Sequence, residues 1–174
     1  MIGSIVIAVL MIVGTVGWAP WTTAQEASTA ESPFVGAWQV SPTIEGEAAV
    51  ALTTFHDDGT IITSNRPVQT APPGLAAEVL VQSLGHGSWS TTSERMADIT
   101  FMFLQSDPNG TFLGTRTIRG VLELDESGDT WSGDFAIIVA DPDGAVVLDT
   151  VGTVMATRIG VEPMPEGTPV ARST

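Results

Sequence analysis

The chain has 174 residues, with 6 Lys+Arg against 20 Asp+Glu and a formal net charge of -14; every cation is an arginine, and neither lysine nor cysteine occurs. So acidic a surface repels phosphate backbones and anionic headgroups, which argues against nucleic acid and against membrane contact beyond an N-terminal anchor. Without these two residue types there are no disulfides, no thiolate nucleophile, no Cys-bound zinc and no Schiff-base chemistry.

In chain order, Ile2 to Trp21 is a largely apolar run, and Thr22-Thr23-Ala24 has the small-x-small form of a signal peptidase site. This predicts export to the cell envelope or beyond. Residues 1–24 act either as a cleaved signal peptide or, since the run just reaches the ~20 residues that span a bilayer, as an uncleaved anchor. No Lys or Arg precedes the run. Residues 25–33 read as a small, polar linker, and residues 160–174, with three prolines, as a disordered tail.

Residues 34–159 carry the fold. Alternating apolar and polar runs are separated by turn tetrads, His56-Asp57-Asp58-Gly59, Asp107-Pro108-Asn109-Gly110, Glu126-Ser127-Gly128-Asp129 and Asp141-Pro142-Asp143-Gly144. Period-two alternation sends successive side chains to opposite faces, and these tetrads supply tight hairpins, so neighbouring strands pair antiparallel. Strands are predicted at Phe34 to Val40, Ala49 to His56, Thr60 to Arg66, His86 to Thr92, Ala97 to Ser106, Thr111 to Asp125, Thr130 to Ala140 and Ala145 to Ile159. About eight such strands close into an all-β, antiparallel up-and-down barrel. The wide gap from Pro67 to Leu84 holds Leu75-Ala76-Ala77-Glu78-Val79-Leu80-Val81, whose spacing suggests a short helix, a lid over one mouth between the third and fourth strands.

Parity assigns an inner face. Ile99, Phe101, Phe103 and Gln105 share one face of their strand; Phe112, Gly114, Arg116, Ile118, Gly120, Leu122 and Leu124 share another; Trp131, Gly133, Phe135, Ile137 and Val139 a third; and Val146, Leu148, Thr150, Gly152, Val154, Ala156 and Arg158 the last. Arg116 is the odd member. A buried guanidinium needs a partner, which is a ligand carboxylate, a carboxylate inside the barrel, or water if a bulge reverses the parity.

Gly36-Ala37-Trp38 on the first strand, together with Arg158 ending the last strand of a meander, resembles the lipocalin and wider calycin pattern. That resemblance implies that Arg158 packs across the Trp38 ring and closes one end of the barrel. Such a cation–π contact is worth about 1 to 2 kcal/mol in a sheltered site. The pattern resembles that of small secreted bacterial lipocalin-like proteins of undefined function. The Thr-Asp-Tyr type loop motif has no match and tyrosine is absent, so the ligands of animal lipocalins are not implied.

The expected function is extracytoplasmic binding of a small hydrophobic molecule in the barrel cavity, either plain or with an anionic group facing Arg116. Arg116, Phe101, Phe103, Phe112, Ile118, Phe135, Ile137, His86 and Trp89 are the candidate ligand-binding residues, with Val139 beside them, and Trp38 and Arg158 close the barrel. Two alternatives stand beside it: a cyclase- or isomerase-type enzyme, favoured if a polar cavity joins His86 or Asp98 to Arg116, and a ligand-free structural or interaction domain, favoured by a filled interior. His56 and His86 are the only histidines and read as turn-adjacent hydrogen-bonding residues, not haem ligands or general bases. The Asp-Pro-Asx-Gly tetrads read as turns, because Gly152 falls where a calcium loop starting at Asp141 needs its Glu. No catalytic motif, metal site or cofactor fingerprint is legible.

Overall fold

A computed structural model describes residues 32–164. The predicted signal or anchor, most of the linker and most of the tail lie outside the described residues. Eleven strands form: β1 (Gly36–Ile44), β2 (Glu47–Ala48), β3 (Ala51–Phe55), β4 (Thr60–Ser64), β5 (Val68–Thr70), β6 (Val79–Gln82), β7 (Gly85–Ser93), β8 (Met96–Ser106), β9 (Phe112–Leu124), β10 (Thr130–Ala140) and β11 (Val146–Arg158). Eight of them pair in sequence order, β1-β3-β4-β7-β8-β9-β10-β11, and β11 returns to β1, every pairing antiparallel. The result is a closed up-and-down barrel, compatible with a lipocalin-like fold.

Alternation does what the pattern dictates. Along β8, Ala97, Ile99, Phe101, Phe103 and Gln105 are buried while Asp98, Thr100, Met102 and Leu104 face solvent. On β10, Trp131, Phe135, Ile137 and Val139 point inward.

The turns are held by carboxylates. Asp107 Oδ1 accepts the N–H groups of Asn109 (2.9 Å) and Thr111 (2.7 Å), and Asp141 Oδ1 those of Asp143 (3.0 Å) and Ala145 (2.8 Å), so these oxygens are committed to backbone donors. At the β9–β10 turn, hydrogen bonds from Ser127 and Thr130 hold the Asp125 carboxyl at about 2, below its ordinary 3.8. A depressed carboxylate stabilises the fold above its unfolded pKa and loses that contribution as pH falls from about 4 through 2. Asp125→Asn is therefore expected to flatten the acid limb of a circular-dichroism pH titration in that window.

Two predicted features are corrected. Pro67 to Leu84 contains no helix; it is the β5–β6 hairpin, with Val68 paired to Val81 and Thr70 to Val79, joined to β8 through Val81 and Gln82. The β-branched Val68, Val79 and Val81 fit an extended, half-buried surface, and Pro72-Pro73-Gly74 belongs to the connecting loop. The hairpin crosses one barrel end from β8 toward β11: Leu80 is buried, and Gly74 packs close to Val147.

The second correction is Phe112, which is 44% exposed, while Leu113 is buried. A bulge shifts the β8–β9 register between Gln105/Gly114 and Ser106/Phe112. It rests on Gly114, at φ 130, where a Cβ would lie 2.0 Å from the Ala140 carbonyl oxygen. A similar shift opposite, between Val139 and Ala140, turns Val146 outward, contrary to its predicted parity.

Candidate functional site

The end opposite the hairpin is sealed by aromatics. Trp38 is fully buried, its Nε1 donating to the Phe34 carbonyl at 2.9 Å, and its ring lies 6.0 Å from that of Trp131. Phe34, Phe55 and Trp89 complete the plug, with Phe55 edge-on to Trp89 at 5.3 Å and to Trp131 at 6.2 Å. Trp38 and Arg158 are register partners, and the guanidinium carbon sits 4.2 Å from the indole centroid. Arg158 also donates to the carbonyls of Val35 (2.9 Å), Gly128 (2.9 and 3.2 Å) and Pro33. Gly36 makes room for it, since a Cβ there would stand 2.9 Å from an Arg158 nitrogen.

Above the plug lies a cavity of about 60 Å³ lined by Phe101, Ile118, Phe135, Val154, Thr53, Thr63 and Arg116 among others. Thr63 donates to the Leu52 carbonyl (3.2 Å) and lies 2.9 Å from the Thr53 hydroxyl, so these two polar groups largely satisfy each other. Nearer the hairpin, a second pocket of about 170 Å³ is lined by Gln69, Thr70, Pro72 and Leu80 of the hairpin segment and by Gln105, Arg116, Ile137, Val139, Leu148 and Thr150 of the barrel. Arg116 borders both.

The setting of Arg116 decides what the site can do. Its register partners are Phe103 and Val139, both buried, so its side chain starts on the inner face. Its Nε is buried without a hydrogen-bond partner, and one terminal nitrogen is 3.5 Å from Gln69 Oε1, too long for a strong bond. Among the described residues no carboxylate lies within 4.0 Å of it; the ion pair present is Arg158 with exposed Asp129, at 3.6 Å. Burial pushes the guanidinium pKa below its ordinary value, without any charged partner to offset the loss of water. Parity is therefore not reversed at Arg116, and no carboxylate among the described residues pairs with it.

No protein-family model, curated protein or solved structure matches this chain.

Of the candidate ligand-binding residues, Arg116, Phe101, Ile118 and Phe135 line the inner cavity, and Ile137, Val139 and Arg116 the mouth pocket. Phe103 is fully buried and packs edge-on against Phe101 at 5.7 Å. Three candidates sit elsewhere. Phe112 is outside, through the bulge. His86 is exposed because it alternates with Gly85 and Gly87, which occupy the inward positions of β7. Trp89 belongs to the aromatic plug, its Nε1 donating to the His56 carbonyl at 2.9 Å, away from the hairpin-covered mouth. Asp98 is also exposed, so neither it nor His86 joins Arg116 in a polar cavity. The hairpin residues Gln69, Thr70 and Leu80 are not legible as site residues in the sequence, because Val79-Leu80-Val81 is continuously apolar and only the structure shows Leu80 and Gln82 turned inward.

Proposed function

We propose that this barrel binds a small, partly apolar anion outside the cytoplasm, with the anionic group on Arg116 and the apolar part against Phe101, Ile118 and Phe135. One observation carries the reading: a guanidinium facing an apolar interior with no counter-ion among the described residues. A bound carboxylate supplies the missing charge and two parallel acceptors for the guanidinium fork. The cavities are smaller than the ~300–1,000 Å³ typical of drug-sized ligands, so the ligand is a short-chain molecule. The extracytoplasmic setting rests on the apolar run from Ile2 to Trp21. The tryptophan–arginine closure supports kinship with secreted lipocalin-like proteins.

A ligand-free structural domain is the second reading, favoured by the aromatic plug that fills the lower half of the interior. Native mass spectrometry of protein from its own host, followed by titration with hexanoate and with hexanol, separates the two. Binding of hexanoate at least about tenfold tighter than hexanol is expected from one charge-assisted pair. Equal or undetectable binding of both, with no retained mass, favours the structural reading.

A further inference from the structure

We infer that the ligand's polar end carries a hydrogen-bond donor beside its anionic group, so that the pocket under the β5–β6 hairpin takes a hydroxy or amido carboxylate in preference to a plain one. The inference rests on Arg116 being the anion anchor and goes on to the neighbouring amides. Gln105 is 1% exposed and lines this pocket, yet its Oε1 has no hydrogen-bond partner. Its register partner across β6–β8, Gln82, is 6% exposed, and neither of its amide atoms has one.

Buried side-chain amides are ordinarily paired, and an orphaned carbonyl oxygen is costly. Gln82 and Gln105 are register partners, yet neither amide bonds the other in this structure, and the Gln105 oxygen is left without a donor. Arg116 lies close by. Gln105 pairs with Gly114, two residues before Arg116 on β9, and all three of Phe103, Gln105 and Arg116 face inward. Diagonal neighbours on one sheet face have their Cβ atoms roughly 7–8 Å apart, a gap that a compact polar head spans.

The chemistry of the lining is asymmetric. Arg116 offers only donors, and an ionised carboxylate offers only acceptors, so a plain carboxylate meets Arg116 and leaves the glutamine oxygen as it was. A hydroxyl or amide N–H on the carbon next to the carboxylate donates to that oxygen while the carboxylate stays on the guanidinium. Gln69 and Thr70 on the hairpin and Thr150 on β11 line the same space and extend its polar character.

The test is a calorimetric titration of the full chain with hexanoate, 2-hydroxyhexanoate and 2-methoxyhexanoate. 2-Hydroxyhexanoate is expected to bind about tenfold tighter than hexanoate, and 2-methoxyhexanoate, which keeps the oxygen but not the donor, no tighter than hexanoate. In Gln105→Met, checked for its fold by circular dichroism, hexanoate and 2-hydroxyhexanoate should share one Kd. If the wild type binds hexanoate and 2-hydroxyhexanoate equally, or binds the methoxy acid as tightly as the hydroxy acid, the donor inference falls while the Arg116 reading stands. Binding of none of the three acids overturns both.

Discussion

Arg116→Met is expected to raise the melting temperature of the ligand-free barrel while weakening its affinity for hexanoate by at least about tenfold. The two effects have one origin. Holding a cation away from water without a counter-ion costs free energy, and replacing buried charge by an apolar side chain of similar volume commonly stabilises by about 1–4 kcal/mol. For a chain of this size that corresponds to a rise of roughly 2 to 16 °C. Met keeps most of the side-chain length among Phe103, Ile118 and Val139, so little cavity is created. The pH dependence follows from the direction of the shift. Burial lowers the Arg116 pKa below its ordinary value, and a base with a lowered folded pKa disfavours folding at every pH below it. The gain in Arg116→Met should therefore be flat from acid to mildly alkaline pH. Differential scanning calorimetry with and without hexanoate measures both halves. A variant less stable than wild type would mean that the guanidinium is already satisfied, and the anion-anchor reading would then be lost.

The largest loss of stability is expected at the other end of the barrel. Trp38→Ala removes a fully buried indole from a cluster of five aromatic rings and should cost about 3–5 kcal/mol, enough to unfold a marginal domain. Arg158→Leu retains an apolar stem over the indole but abandons the carbonyls of Pro33, Val35 and Gly128, and should cost about 2–3 kcal/mol. Arg158→Lys separates charge from geometry, because an ammonium keeps the cation but cannot reach three carbonyls from a planar fork. Its destabilisation should approach that of Arg158→Leu. Asp129→Asn, by contrast, touches only an exposed ion pair and should shift the urea midpoint little. If Arg158→Lys proves neutral, stacking on Trp38 rather than the hydrogen-bonded fork seals the floor.

Particular residues show where a sequence reading runs out. The faces of β8 and β10 follow their alternation from end to end, because each side chain's direction is fixed by its neighbours along the strand. Phe112 breaks the rule through a local bulge that exists only because Gly114 meets Ala140 on another strand. Leucine and alanine are good helix formers, so local propensity favours a helix where the β5–β6 hairpin stands. Its extended form is settled by pairing with β8, a contact made across some twenty residues of chain. His86 and Trp89, three residues apart on β7, fall on opposite faces by alternation alone, so local parity already sends His86 to water and Trp89 to the plug.

From the amino acids alone came the eight barrel strands, their turns and most of the inner face, which rest on alternation and turn chemistry, while the partnership of Trp38 with Arg158 came from the resemblance to the lipocalin pattern. Tertiary structure decided the hairpin over the mouth, the bulge that expels Phe112, and the surroundings of Arg116, Gln82 and Gln105. Those depend on which distant segments meet, and an unpaired guanidinium or an orphaned amide is defined by the groups that fail to reach it in space, which no local pattern of residues encodes.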